Sequence, residues 1–255
     1  MPRSASRAIL AVIATIVLFA LPDAAHAQWP VTKLKNIKAL PADISVTALV
    51  DTMRSFTRSL GVRCTYCHVG KEGEPLSTYD FASDERPEKN KAREMLRMVS
   101  AINGDYLSKL VDRRSPSIGV QCATCHRGVS QPRTIQQVLL MAYDAGGADS
   151  LDHAYRALRT RYYGRSAYDF GEVSLSDVAD VLMQRKQAKD AVKVHLLNTE
   201  MVPTSTFALW MAGAAQLTAG DTAGAITSLQ KAVAINPNNQ GAAALLQSLG
   251  KKPLR

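Results

Sequence analysis

Cys64, Cys67 and His68 stand together in "GVRCTYCHVG", residues 61–70, and the spacing returns as Cys122, Cys125 and His126 in "GVQCATCHRG", residues 119–128. These four are all the cysteines of the chain. On one helical turn, positions i, i+3 and i+4 share a face. Two thiols so placed can add across the vinyl groups along one porphyrin edge, and the histidine beside the second can reach the iron. C-x-x-C-H therefore points to two covalently attached haem c groups, each with its iron. Cys64, Cys67, Cys122 and Cys125 would form the thioethers, and His68 and His126 would be the proximal iron ligands. One tetrahedral zinc could use the same four thiols. That arrangement gives both histidines no role, and the gap between the pairs is far longer than zinc-ribbon spacings. A thioredoxin-like pair needs neither the histidine nor the duplicate.

What closes the opposite side of each iron separates an electron carrier from an enzyme. Upstream of the first motif, Val46, Leu49, Val50, Met53, Phe56 and Leu60 follow the 3.6-residue period of an amphipathic helix, with Ser45 able to cap it and Gly61 to end it. Met53 lies about 12 Å back from Gly61 along such an axis. If the chain reverses at Gly61, its thioether can lie over the haem at Cys64 and Cys67; the same position also suits a core methionine. Between the motifs a second helix is expected, with Pro87 in its first turn and Asn103-Gly104 breaking it. Met95 and Met98 are one turn apart on it, and spacing does not choose between them.

"LGVRCTYCHVG", "FASDERPEKNKAREMLRMVSAIN" and "VQCATCHRGVSQPRT" closely resemble the haem-binding half-unit of the photosynthetic reaction-centre cytochrome c subunit family, over roughly residues 40–135. The resemblance implies that each haem follows a helix supplying its methionine ligand. It puts Met53 on the first iron and Met95 on the second, with Met98 as the substitute for Met95, and His68 and His126 as the proximal ligands. Three departures stand out. That family's subunit has four haems, and this chain has motifs for two. Gln28 stands where many members carry a lipid-anchor cysteine. No histidine lies between His68 and His126 to act as a distal ligand. The resemblance therefore implies a two-haem relative that transfers electrons.

The N-terminus carries Arg3 and Arg7, an apolar run from Ala8 to Leu21, and Ala25-His26-Ala27 as a small-residue cleavage site. The run is short for a bilayer span, which needs about 20 residues. Residues 1–27 are thus expected to be a signal peptide removed on export to a bacterial periplasm, with an uncleaved anchor on the outer face of the inner membrane as the alternative. No other stretch reads as a membrane span. The formal charge of +9 becomes +8 without residues 1–27, which contain Arg3, Arg7 and Asp23. A basic surface steers acidic partners and acts mainly on encounter rate. Redox proteins with acidic docking faces (a reaction centre, an oxidase or another cytochrome) are the expected partners, and nucleic acid is not. Residues 29–135 hold few large aromatics, so the porphyrins are expected to supply much of the buried apolar surface, and this region is expected not to fold without them.

Past the second motif, residues 134–147 read as a helix ending at Gly146-Gly147, and a second helix runs from Ser150 to Gly164. Arg156, Arg159, Arg161 and Arg165 interleave there with Tyr155, Tyr162 and Tyr163. They suit haem propionates or an acidic partner, or simply a solvated helix face over packed tyrosines. From about residue 172 the chain repeats. Gly213, Gly220, Ala225, Ala232 and Pro237 fall at tetratricopeptide positions, and Ala191 and Pro203 answer Ala225 and Pro237 one period earlier. A degenerate repeat is expected at 172–205, a good one at 206–239 and a closing helix at 240–249. Such repeats suit protein docking or a structural extension. His195 is expected as a packed core histidine and His153 as an exposed helix residue; neither is expected to be catalytic.

The expected fold is all-α: a signal peptide (1–27), a two-haem cytochrome c module (28–135), connecting helices (136–171) and tetratricopeptide-like repeats (172–255). The expected function is electron carriage through two His/Met irons, not enzymatic turnover. The alternatives are a two-haem peroxidase-type oxidoreductase, which needs one displaceable ligand and acid–base groups over it, and a redox-linked protein-docking module.

Overall fold

The computed structural model describes residues 33–113 and 115–251, so the expected signal peptide at 1–27 lies outside the described residues. These residues form an all-helical chain. Helix α1 spans Val46–Leu60; the Ser45 hydroxyl accepts from the Ala48 amide at 3.2 Å to cap it, and Gly61 ends it at φ 65°. Helix α2 spans Pro87–Ala101 with proline in its first turn. Asn103-Gly104 does not break it. The chain passes through a wide π turn, Ile102–Tyr106, and a 3-10 turn, Leu107–Lys109. The reason is Asn103, whose side chain bonds both backbone groups of Val120 and so holds the widened turn in place.

Helix α3 is the short Cys122–His126 turn. The stretch Ile135–Tyr162, α4, consists of two helical arms that meet at a kink where Gly146 and Gly147 leave helical geometry, as the sequence leads one to expect. Glycine is required at the bend, because Gly147 takes φ 72°.

Helices α5 (Glu172–Gln184), α6 (Ala188–Met201), α7 (Thr206–Thr218), α8 (Thr222–Ile235) and α9 (Gln240–Ser248) pack as successive antiparallel neighbours. The α5–α6 pair and the α7–α8 pair start at the same offset, 172 to 206 and 188 to 222, as a helix-pair repeat demands. Small residues set the spacing: a methyl group on Gly213 of α7 would lie 2.6 Å from the Leu229 side chain of α8. Leu139 and Leu151 of α4 join Leu175 and Leu182 of α5 and Val194 of α6 in one core. Burying each such side chain stabilises by roughly 1.5–3 kcal/mol. Two helix pairs alone offer too little core for a solenoid, and α4 supplies the missing layer.

Candidate functional site

The first motif begins where α1 stops. Arg63 is extended, and Cys64–Tyr66 form a single 3-10 turn, tighter than the α turn its spacing suggests. The Cys67 and His68 amides both donate to the Cys64 carbonyl, at 3.2 and 3.0 Å. Both thiols are free, with Cys64 exposed and Cys67 half-buried. Burial raises the Cys67 thiol above its ordinary pKa, and the Glu88 carboxylate adds to this.

The loop that follows folds back on the motif. Asp80 donates its amide to the Val69 carbonyl at 2.9 Å, and the buried Tyr79 ring lies over Gly70 while its hydroxyl donates to the Lys71 carbonyl at 2.8 Å. Tyr79 stacks on Phe81 at 5.6 Å, and Phe81 meets His68 edge-on at 5.1 Å. An aromatic wall thus sets the ring of His68.

A charge cluster anchors that wall. Lys89 donates to the carbonyls of Phe81, Ala82 and Ser83 at 2.9, 2.9 and 2.7 Å. Asp84 accepts from Arg93 at 2.8 Å, Lys38 at 2.7 Å and Asn36 at 2.8 Å. Those bonds, Arg93 first, hold the Asp84 carboxyl well below the usual carboxylate range. Burial, and after it the Lys89 charge, pushes His68 down to about 4, with the Phe81 backbone acting in the opposite sense. His68 is therefore neutral at physiological pH, the form that can offer a lone pair to a metal.

The second motif is positioned differently. Asn103 accepts the Val120 amide at 2.7 Å and donates to the Val120 carbonyl at 2.9 Å, pairing the chain as a strand neighbour would. Gln121 and Thr124 then form a capping box that starts α3. After α3 the chain turns through Arg127 and Gly128, and the Gly128 amide donates to the Ser59 carbonyl of α1 at 2.8 Å. His126 Nδ1 lies 2.9 Å from the Val129 carbonyl. A carbonyl only accepts, so the proton is on Nδ1 and Nε2 keeps its lone pair, the arrangement a metal-ligating histidine uses.

The two motifs are brought together through α1, which packs against α3, so one helix touches both. The four thiols do not converge as one zinc site requires: among the described residues, no three His, Cys, Asp or Glu side chains cluster as metal ligands. Met53 is half-buried on the apolar face of α1. Met95 and Met98 are 42% and 45% exposed, so neither packs in a protein core.

The apolar side chains of this region have little protein cover. Among described residues before Thr134, only Tyr79 and Val129 are buried apolar residues, and no residue of α1 is fully buried. Val46, Leu49, Val50, Met53, Phe56 and Leu60 are all half-buried. Two large flat apolar groups, one bonded at each thiol pair, fit those donor sets and that incompletely covered surface.

Sequence reasoning had missed Phe81, Lys89, Asp84 and Arg93 around His68, and Asn103 and Val129 around the second motif. The dense charges of "DERPEK" gave a faint signal for the first group. A backbone carbonyl gives none.

Residues 25–139 match the family described as photosynthetic reaction centre cytochrome C subunit. Cytochrome c-554 of Chloroflexus aurantiacus is 43% identical over 99 residues, which is 39% of this chain and 21% of that protein. The photosynthetic reaction center cytochrome c subunit of Thermochromatium tepidum is 32% identical over 101 residues, 39% of this chain and 22% of that protein. The chain thus spans about a fifth of the length of the curated relatives it matches. The matched stretch contains both C-x-x-C-H motifs and the helix before each. Residues 25–139 therefore carry a domain of the photosynthetic reaction centre cytochrome c subunit family, a c-type cytochrome related to cytochrome c-554.

Proposed function

We propose that the chain is an exported two-haem electron carrier. Cys64 and Cys67 hold one haem c and Cys122 and Cys125 the other; His68 and His126 are the proximal iron ligands, and Met53 and Met95 the distal ones, with Met98 as the substitute for Met95. The carrying observation is the apolar face of α1, none of whose side chains is fully buried by protein. When bound, the haems supply a one-electron iron couple, and methionine ligation places it higher than bis-histidine ligation would.

The residues do the rest. His126 is held in the ligating tautomer by Val129, His68 is oriented by Phe81, and α1 ties the two motifs into one body. The net charge of +8 left once residues 1–27, with Arg3, Arg7 and Asp23, are removed steers acidic redox proteins toward the chain. Helices α5–α9 form tetratricopeptide-like repeats offering a second surface for protein docking.

A peroxidase needs acid–base groups poised at an open iron. Among the described residues the other two histidines stand in the C-terminal half: His153 is exposed on α4 and His195 is buried in α6. That placement favours the carrier.

Mass measurement of the purified protein, followed by a redox titration read optically, tests this reading. Two attached haems, and a sulfur-to-iron band at the red edge of the oxidised spectrum, are expected. Substituting Met53 or Met95 by alanine should remove that band from one haem each, and M98A should remove neither. One haem or none, or a high-spin iron that turns over peroxide, refutes the carrier.

A further inference from the structure

The four arginines that the sequence singles out between 156 and 165 have different fates. Arg156 is bound by Glu200 through two bonds of 2.7 Å and by Asp152 at 2.9 Å. Arg159 lies over the Tyr163 ring at 4.1 Å. Arg165 lies beyond the end of α4 and is exposed. Arg161 is the one that faces a cavity. It lies over the Tyr162 ring at 5.1 Å, and Tyr162 meets Tyr168 edge-on at 5.2 Å.

That cavity, of about 320 Å³, opens between the two halves of the chain. Gly128, Val129 and Arg133 line it from the loop behind the second motif, and Arg161, Tyr162 and Tyr168 from α4 and the turn after it. Neither guanidinium is ion-paired with a described residue, and no Asp or Glu is among the described residues that line the space. Burial, and after it Tyr162, raises the Tyr168 hydroxyl above its ordinary pKa, while the charges of Arg133 and Arg161 act in the opposite sense. Two guanidinium groups without a carboxylate partner, lining one space with two tyrosines, suit a carboxylate, which Arg binds through paired N–H donors. The family match stops at residue 139, so Arg161, Tyr162 and Tyr168 of this lining lie outside it.

We propose that this cavity is a carboxylate-binding site joining the cytochrome domain to the C-terminal helices. Its occupant is a carboxylate: a propionate of the haem held at Cys122 and Cys125, or a small free carboxylate. The bound group ties Arg133 to Arg161 and so fastens the loop behind His126 to α4.

The test uses the full two-haem protein as wild type and as R133Q, R161Q and R156Q. If a haem propionate is the occupant, one of the two midpoint potentials falls in R133Q and R161Q and stays unchanged in R156Q, because a positive charge is lost beside that haem only. If a free carboxylate is the occupant, potentials stay put and citrate raises the wild-type melting temperature saturably. The half-saturating concentration then rises about tenfold in R133Q and R161Q, the scale of one charged hydrogen bond. The proposal is overturned if R133Q and R161Q behave as R156Q does in both measurements. The propionate arm rests on the haem attachment proposed above. Failure of that attachment appears first in the mass measurement, while the citrate arm needs no haem.

Discussion

Gly61 and Gly128 approach so closely that a methyl group on Gly61 would lie 2.1 Å from the Gly128 carbonyl oxygen. Gly61 also holds φ 65°, where a side chain is strained whatever the space. The end of the first helix and the turn after the second C-x-x-C-H motif are therefore one joint, fastened by the Gly128 amide on Ser59. G61A is expected to cost about 1–3 kcal/mol, seen as a lower melting temperature. G104A is the control, since its added methyl meets nothing within 4 Å. Equal melting of the two variants would show that the joint is not tight.

The uncovered apolar faces of α1 and α2 bear on folding without haem. A variant with all four cysteines replaced by alanine is expected to lose structure before about residue 135 and to keep α4–α9, where the fully buried aliphatics lie. Limited proteolysis should leave a resistant C-terminal fragment beginning near Ile135. Protection extending back to α1 would contradict this.

Lys89 and Asp84 flank the wall that sets His68 and carry opposite charges. Lys89 is 13% exposed, so its charge is poorly screened by water. K89M is expected to lower the potential of the first haem, and D84N to raise it, with the second haem unmoved in both. Opposite signs identify a charge effect. Shifts of one sign in both variants would instead mean that the turn at 81–83 had loosened.

His195 is 1% exposed in α6, and burial pushes its pKa from 6.5 down to about 4. The unfolded chain then binds the proton more readily than the folded one between those values. Stability contributed by the neutral ring is full above about pH 6.5 and is lost as pH falls toward 4. The loss amounts to roughly 3 kcal/mol by the end of that window. Thermal melts from pH 7 to 4 followed by far-ultraviolet circular dichroism should show this slope for the C-terminal helices. H195L should flatten it, and an unchanged slope in H195L would place the titration elsewhere.

Much of the scaffold is legible residue by residue. Ser45 and Gly61 bound α1, Pro87 opens α2, and the small residues Ala191, Gly213, Ala225 and Ala232 sit at helix contacts. Local rules suffice there, because a cap, a proline or a glycine acts within one turn of itself. They also place the kink of α4 at Gly146-Gly147, but they fail at Asn103-Gly104, read as a break. There a partner seventeen residues away keeps the turn helical. What the local rules do not show is that both arms of α4 share one core with α5 and α6.

The amino-acid order alone determines the chemistry on offer: two thiol pairs, each with its histidine, and three methionines on helices that precede or separate them. Those are covalent facts, and spacing along a backbone states them in full. Only the tertiary structure decided which carbonyl fixes the tautomer of His126, which cations surround His68, and which of four similar arginines faces a cavity. Each of those depends on groups far apart in the chain meeting within a few ångströms, a distance no pattern of residue types encodes.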